Sequence, residues 1–489
     1  MTEVPQDAIK KTLRNVWGFD HLREQQEDLI QKVLSGQDLL AVLPTGYGKT
    51  LCFELPAVLT PGITLVVTPL VALMQDQVTK GRQRGLQSAA LHGGLSRPER
   101  KAVLQGIAEG YWQLLYISPE GLLHPAVWSV VQKSPVVRMV LDEAHCAISW
   151  GETFRPHYLR LAAVRRAFPQ TPALCAFTAT APPPMLKSLV ELLELHPAQR
   201  IILKPYRSNL FLRVQTCWTP RQRYTAMLEF LKRHRNQGGL VYRRTRAGAE
   251  ELAQALQQQG WKTAAYHAGM GTDQRRLVEK QWQTGELPFV VATCAFGLGI
   301  DRADVRWVLH YEPSLSLEEY LQEFGRAGRD QKPAEALLLV SEPTGWLDPS
   351  DKQMRQYFKS QQQEQQKYAL ALARKLPVQG HVTEVQRQFA SASGDTFYQA
   401  LALLQRGKAL KWHSPFEYQL QMQQFDPKFL EENPATPQMA TYATTPGCRW
   451  QFLLQAFGFA HGPCGHCDRC ARPVKTRYIA SLPNRVRNP

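Results

Sequence analysis

The chain lacks any apolar run near the roughly twenty residues that cross a bilayer, which leaves no segment fit for a helical membrane span. Its opening, MTEVPQDAIKK, lacks the apolar stretch of a secretory signal, so the expectation is a soluble cytoplasmic protein, nucleoid-associated if bacterial, with no membrane partner. Acidic residues are in deficit: 42 Asp and Glu face 58 Lys and Arg, a formal charge of +16. Such an excess favours a polyanionic partner, although charge alone does not separate nucleic acid from an anionic membrane. Cysteines are few and odd in number, nine in all, which argues against a disulfide framework. Cys52, Cys146, Cys175, Cys217 and Cys294 are scattered among apolar neighbours, as small buried hydrophobes of a reducing compartment are. Cys448, Cys464, Cys467 and Cys470 cluster instead near the end and point to a metal site.

What is present is a chain of 489 residues, 44% hydrophobic, enough for three or four domains with sizeable cores. Nine short apolar runs alternate with amphipathic stretches: DLLAVLP, ITLVVTP, WQLLYISP, VVRMVLDEAH, ALCAFTATA, GGLVYRR, TAAYHAG, FVVATCAFG and RWVLHYE. Strands in that rhythm predict parallel sheets covered by helices on both faces, and nine runs fit two α/β lobes better than one. The seam is expected near Lys204-Pro205. From about Trp346 the pattern changes to a Gln-rich helical stretch, QMRQYFKSQQQEQQKYALALARKL. Thr383 then opens TEVQRQF, and a further helix carries Phe397, Leu401 and Leu404 on one face, with Gly407 at the position of a C-terminal cap. KALKWHS and FEYQLQM read as two strands about a Ser-Pro turn. Two helices and a hairpin are the order of a winged helix, and equally the outline of any small α+β domain. ENPATPQMATYATTPG reads as a connector, and the tail after Cys470 carries five Lys or Arg and no Asp or Glu, the composition of a disordered segment.

Chemistry concentrates in a few segments. Pro44-Thr45-Gly46-Tyr47-Gly48-Lys49-Thr50 follows the run DLLAVL, where a strand-loop-helix turns backbone N–H groups toward a phosphate. Lys49 would neutralise β/γ oxygens of ATP and Thr50 would ligate Mg²⁺, although the full phosphate-loop spacing asks for Gly where this chain has Leu43. Asp142 and Glu143 end the run VVRMVL; Asp142 would hold the Mg²⁺ and Glu143 orient or deprotonate the attacking water. The same DEAH read alone is an ordinary acidic helix start. Within a dozen residues stand Trp150, Phe154 and Arg155, side chains on which unpaired bases stack. Arg326 and Arg329 in GRAGRD suit cations aimed at a γ-phosphate from a second lobe, whereas Arg243-Arg244 reads more simply as a solvated basic turn.

These segments, in this order, resemble the superfamily 2 helicases and within them the RecQ family of DNA helicases, from Trp17 to about Leu347 and again at the four terminal cysteines. PTGYGKT, TPLVALMQDQV, YISPE, DEAH, FTATA, YHAG, ATCAFGLGID and QEFGRAGRD are similar to the successive helicase motifs. The resemblance implies two RecA-like lobes and an adenine-recognition element in which Phe19 stacks while Arg23 and Gln26 read the base. It also implies ATP contacts at Thr45, Gly46 and Gly48, and a relay between the lobes through the hydroxyls of Thr178 and Thr180. The loop CAISWGETFRP resembles the family's aromatic-rich element coupling single-stranded DNA to hydrolysis, and departs from the usual SQWGHDF run at Ser149, Glu152 and Thr153. Phosphate contacts are expected at Thr68-Pro69 and Thr293. The implied activity is ATP-driven movement on single-stranded DNA, 3′ to 5′, with unwinding of tailed or forked duplex in recombination, repair or replication. Alternatives are a DNA-stimulated translocase that remodels protein–DNA complexes with weak unwinding, and a strand-annealing or DNA-binding module with a regulatory ATPase.

Fifteen residues separate Cys448 from CGHCDRC, a spacing suited to four thiolates around structural Zn²⁺, with His461 and His466 as substitutes for one cysteine. The family resemblance agrees, but the usual order places a winged helix after the zinc module, whereas here the stretch from Trp346 to Cys448 precedes it. The expected limits are 1–204 for an ATP-binding lobe, 205–347 for a second lobe, 348–430 for a winged-helix-like domain, 431–473 for the zinc module and 474–489 for the basic tail. The zinc module is expected to fix the upstream domain against the second lobe.

Overall fold

The computed structural model describes residues 4–69, 71–148, 155–195, 198–296, 302–389, 394–426 and 435–471. Seven strands form the first sheet: β1 (Asp38–Val42), β2 (Ile63–Val67), β3 (Ser88–Leu91), β4 (Leu114–Ile117), β5 (Val136–Leu141), β6 (Ala173–Thr178) and β7 (Ala198–Ile202), in the order β3-β4-β2-β5-β6-β1-β7. Six form the second: β8 (Leu210–Cys217), β9 (Gly238–Tyr242), β10 (Ala265–Tyr266), β11 (Phe289–Ala292), β12 (Val305–His310) and β13 (Ala334–Ser341), in the order β10-β11-β9-β12-β13-β8. Every pairing in both sheets is parallel, so the carboxyl ends of the strands in each sheet line one edge. Continuous burial of β1, β2 and β6 follows from helices on both faces, which leave no strand face to water. The nine apolar runs are all strands. β3, β7, β8 and β13 come in addition, and β8 alternates half-buried residues because it is the sheet edge.

A smaller unit follows the second sheet. The helix Ser350–Ala373 leads to β14 (Gln379–His381), the helices Val382–Gln388 and Gly394–Arg406, then β15 (Leu410–Trp412) and β16 (Glu417–Leu420). The strands form an antiparallel sheet ordered β14-β16-β15, so a third strand joins the expected hairpin. Phe397, Leu401 and Leu404 are buried together as expected. The residue preceding the helix Val382–Gln388 is His381, two positions before Thr383, which instead lies inside the helix and bonds His381 through its hydroxyl. At the end of Gly394–Arg406 the left-handed position is Lys408 (φ 60°), not Gly407, and Ala409 N–H closes the cap on Leu404 O at 2.8 Å. Gly407 is needed for space, since a Cβ there would stand 2.9 Å from the Phe425 ring.

Two further expectations differ from the structure. Part of the segment read as a connector is the helix Ala435–Thr444, whose Met439 and Tyr442 join the second lobe's core. The small unit docks on the first lobe, not the second. Arg160, only 2% exposed, ends the turn Pro156–Arg160 and donates to Pro415 O at 3.1 Å, with its guanidinium 4.6 Å from the Trp412 ring centroid. Gln405 donates to Leu159 O (2.9 Å), Arg166 to Trp412 O (2.7 Å), and His157 packs on Tyr398. Within its own lobe this buried cation meets His157 Nδ1 (3.3 Å), and the Pro415 carbonyl and the ring faces of the small unit supply the rest of its satisfaction. The helix Ser350–Ala373 runs from second-lobe Arg223, paired with Asp351 at 2.8 Å, to this contact.

Arg160→Ala removes the hydrogen bonds and the ring contact together. It is expected to cost about 2 kcal/mol or more and to raise hydrogen exchange across 396–412 while leaving β1 and β5 protected. Unchanged exchange in that stretch would contradict the docking.

Candidate nucleotide site and metal centre

The order β5-β6-β1 sets three strand ends side by side. β1 runs into the phosphate loop, β5 into Asp142-Glu143 and β6 into Thr178-Ala179-Thr180. Gly46 and Gly48 adopt φ of 83° and 91°, a left-handed backbone that side chains resist, and a Cβ at Gly48 would stand 2.8 Å from Gln26 Nε2. The loop therefore closes against the helix Gln26–Leu34. Gln26 Nε2 donates to Tyr47 O at 2.9 Å, Arg23 Nη1 to Gly46 O at 2.6 Å, and the Tyr47 hydroxyl to Glu24 O. Phe19 stands outside this contact and is 54% exposed, available as a stacking face. Thr50 precedes the helix Leu51–Leu59 and its carbonyl accepts from Glu54 N–H at 2.9 Å.

Lys49 Nζ lies 2.9 Å from Glu143 Oε1 and 3.5 Å from Asp142 Oδ1. Burial works against the Lys49 ammonium, but the two carboxylates outweigh it and hold its pKa above the ordinary value. Burial likewise opposes charge on both acids. Lys49, then His145 and Arg326, reverse it for Glu143, whose pKa lies below the ordinary range, while Asp142 is held above its range by burial and by Glu143. Glu143 takes φ 50°, rare for a residue with a side chain and typical of strain kept at functional sites. The Tyr158 hydroxyl donates to Asp142 O at 2.7 Å and fixes the strand end. His145 Nδ1 meets the Thr178 hydroxyl at 3.0 Å, and Thr178 in turn donates to Thr180 O at 3.2 Å.

Across the cleft, Thr45, Thr180, Pro205, Arg207, Phe324 and Gly325 line a narrow gap between the lobes. Arg326 acts electrostatically on Glu143, and Arg329 Cγ lies 3.8 Å from where a Gly46 Cβ would be. Lys49, Asp142 and Glu143 thus meet with Arg326 close enough to act on Glu143, Arg23 and Gln26 hold the loop of Gly46 and Gly48, Thr50 stands at the following helix start, and Arg329, by Gly46, and Thr45 stand at the gap. Two residues not anticipated from the sequence build its far wall. Arg207 donates to the carbonyls of Ala327 and Gly328, and Asn209 Nδ2 to Gly328 O and Lys332 O, each at 2.8 Å. They lie some 120 positions from their partners, with no local signal beyond a cation and an amide after the seam. Arg244 is neither a solvated turn residue nor a phosphate ligand: it is buried against Glu319 at 3.0 Å, behind the helix Leu317–Phe324. Arg243 pairs with Glu312 at 3.1 Å.

Trp150 and Phe154 lie outside the described residues. Arg155 reappears after them, half-buried, its N–H on Cys146 O at 2.9 Å. Thr68 and Thr293 follow β2 and β11 with buried hydroxyls that lack a hydrogen-bond partner among the described residues.

Among the described residues, the buried acceptors Asp142 Oδ1 and Glu143 Oε2 carry no hydrogen bond, only the longer contacts to Lys49 (3.5 Å) and His145 (3.3 Å). Carboxylate oxygens left with such spare capacity are the donors a hard cation such as Mg²⁺ takes. The four cysteines meet the corresponding test for a soft tetrahedral ion. Their sulfurs lie within 4.8 Å of one another, against about 3.8 Å between thiolates at ordinary Zn–S lengths. Backbone N–H groups of Arg449, Gln451, Cys464 and His466 point at these sulfurs from 3.2–3.4 Å, as they would toward thiolates. Neither histidine belongs to the group: His466 Nδ1 bonds Cys464 O, and His461 sits by Lys204 and Tyr206. The knuckle covers the open edge of β8, with Asp468 N–H on Leu212 O (2.9 Å), Val214 N–H on Asp468 Oδ2 (3.0 Å) and Trp450 Nε1 on Leu210 O (3.1 Å).

Two parallel-sheet lobes with a phosphate loop and acid pair on one, and arginines reaching across from the other, define a two-lobed nucleic-acid-dependent motor of the helicase type. Family models agree: the DEAD/DEAH box helicase model matches residues 23–189 and the helicase conserved C-terminal domain residues 222–331. In fold, the chain is similar to a Mycobacterium smegmatis helicase Lhr bound to single-stranded DNA and AMP-PNP (TM-score 0.57, 19% identity, 89% of this chain and 61% of that one). It is similar also to Saccharomyces cerevisiae Dbp5 bound to RNA and ADP BeF3 (TM-score 0.59, 17% identity, 71% and 90%). In sequence it is 46% identical over 474 residues to the ATP-dependent DNA helicase RecQ of Synechocystis sp., covering 95% of this chain and 98% of the relative. It is 36% identical over 337 residues to the RecQ of Haemophilus influenzae, covering 68% of this chain and 54% of that longer protein. The chain belongs to the RecQ family of ATP-dependent DNA helicases. No helix among the described residues is long and apolar enough to cross a membrane.

Proposed function

We propose that the chain moves 3′ to 5′ along single-stranded DNA, driven by ATP hydrolysis, and separates tailed or forked duplex ahead of it in recombination, repair or replication. The observation that carries the assignment of residues is the buried cluster Lys49–Asp142–Glu143 facing Arg326 and Arg329 across the lobe gap. Lys49 screens the β/γ oxygens when nucleotide arrives and in doing so leaves Glu143. Glu143, ionised and fixed by its strained backbone, accepts the proton of the attacking water. Thr50 and Asp142 are the residues that would hold Mg²⁺, which when bound neutralises the charge between the β- and γ-phosphates. Arg326 and Arg329 meet the charge on the transferring phosphoryl group only while the lobes are closed. Phe19 stacks on adenine, and Arg23 and Gln26 exchange loop carbonyls for the base, so base recognition is felt directly by Gly46 and Tyr47. Thr178, through His145, links the acid pair to the lobe gap at Thr180. Trp150, Phe154 and Arg155 report unpaired bases to the same strand end.

The domain limits follow as 1–204, 205–347, 348–430 and 431–473, with 474–489 a basic tail, in a cytoplasmic protein. Cys448, Cys464, Cys467 and Cys470 hold one Zn²⁺ that cross-links the knuckle to the helix Arg449–Ala456 and supplies folding free energy to a segment with little core of its own.

Glu143→Gln is expected to bind ATP within a few-fold of the natural protein while turnover falls about 10²–10⁴-fold and unwinding of 3′-tailed duplex is lost. Turnover at the natural rate, measured by phosphate release on oligothymidylate, would contradict the role. Metal analysis of the purified active protein is expected to find one zinc per chain, and strong chelation to lower the melting temperature. A pure, active protein with far less than one zinc per chain would remove that site.

A further inference from the structure

Trp346 is 86% exposed, the most exposed large hydrophobic residue among the described ones. Leaving an indole in water forgoes one of the largest apolar burials a chain can make. The turn that presents it is nevertheless tightly built. Glu342 is buried, and its carboxylate accepts the N–H groups of Thr344 (2.6 Å), Trp346 and Leu347 (3.0 Å) and the Thr344 hydroxyl (2.5 Å). At the other end, buried Asp348 pairs with Arg223 at 2.9 Å. Both ends are fastened, and the ring is held outward.

The position is on a track. All second-sheet strands are parallel, and Trp346 follows the carboxyl end of β13 while Trp218, 55% exposed, follows that of β8. Glu342 N–H on Cys217 O, 3.0 Å, keeps the two loops side by side. Thr293 leaves β11 on the same edge, the edge where open parallel sheets receive ligands. Beside the turn, Lys352, Arg355 and Lys359 are exposed at i, i+3 and i+7 of the helix Ser350–Ala373, so they share one face, and none makes an ion pair among the described residues. A Cβ at Gly345 would stand 3.5 Å from the Lys352 side chain, which ties this row to the turn. An exposed ring beside a row of unpaired cations is the combination that holds single-stranded nucleic acid, bases on the ring and phosphates on the cations. Protein-binding surfaces are instead depleted in lysine.

We propose that Trp346 stacks on an unpaired base of the DNA strand lying across the second lobe, with Lys352, Arg355 and Lys359 neutralising the phosphates beside it. This rests on the DNA-helicase reading and adds a base contact on the second lobe to the aromatic loop of the first.

Anisotropy of labelled oligothymidylate tests it. Trp346→Ala is expected to weaken binding between about fivefold and a hundredfold, and Trp346→Phe, which keeps a ring, to recover most of the loss. The triple variant Lys352→Gln, Arg355→Gln, Lys359→Gln is expected to lower the slope of log affinity against log salt by about 2. Melting temperatures should match the natural protein, because all four side chains are exposed. Natural affinity and an unchanged salt slope in both variants would overturn the proposal and assign Trp346 to a protein contact. If the natural protein itself neither binds the oligonucleotide nor hydrolyses ATP on it, the helicase reading fails, and the proposal with it.

Discussion

A lysine buried against two carboxylates is the constraint around which the first lobe is organised. Lys49, Asp142 and Glu143 meet because β1 and β5 flank β6, so two segments some 94 positions apart end on one edge of one sheet. Removing one member of such a buried set leaves a charge without its counterion, a cost of about 3–5 kcal/mol, so the cluster is held together before any nucleotide arrives. It also keeps spare capacity, since among the described residues Asp142 Oδ1 and Glu143 Oε2 carry no hydrogen bond beyond longer contacts to Lys49 and His145. The site is stable enough to persist and unsatisfied enough to take a cation and a phosphate. β6 between the two strands carries Thr178, which meets His145 Nδ1 at 3.0 Å and donates to Thr180 O, next to the lobe gap.

The second lobe answers with arginines whose position is itself over-determined. Arg207 and Asn209 clamp the turn that bears Arg326 and Arg329, and Arg244 pins the preceding helix through Glu319. The remaining units tie the lobes in different ways. The four-cysteine knuckle seals the β8 edge of the second lobe, while the unit after Ser350 grips the first lobe through Arg160. The helix Ser350–Ala373 joins that unit to the second lobe at Arg223, so a change in the lobe gap must pass through it or break the Arg160 contact.

Much of this was legible in the sequence because it is local. Apolar runs bounded by turns marked nine of the thirteen strands described in the two parallel sheets, and the phosphate loop, acid pair and cysteines were legible because their chemistry needs fixed short spacings. β8 escaped because an edge strand sealed by the knuckle alternates half-buried residues, and β3 because SAAL is short and small. The docking of the 350–426 unit on the first lobe was invisible, since Arg160 and Pro415 are 255 positions apart and an arginine before an apolar stretch looks like surface. Arg207 and Asn209 were missed for the same reason. Arg244 shows the converse: a basic pair in a turn carries no sign that a glutamate 75 positions on will bury it.

In the proposed mechanism, hydrolysis depends on an arginine the second lobe brings to the first. Arg326→Ala, assayed for ATP affinity and for DNA-stimulated turnover on the same preparation, tests it most directly. Nucleotide affinity is expected to stay within a few-fold of the natural protein while the turnover rate falls by about 10³ or more. A turnover rate within a few-fold of the natural one, with nucleotide still bound, would contradict the dependence on closure.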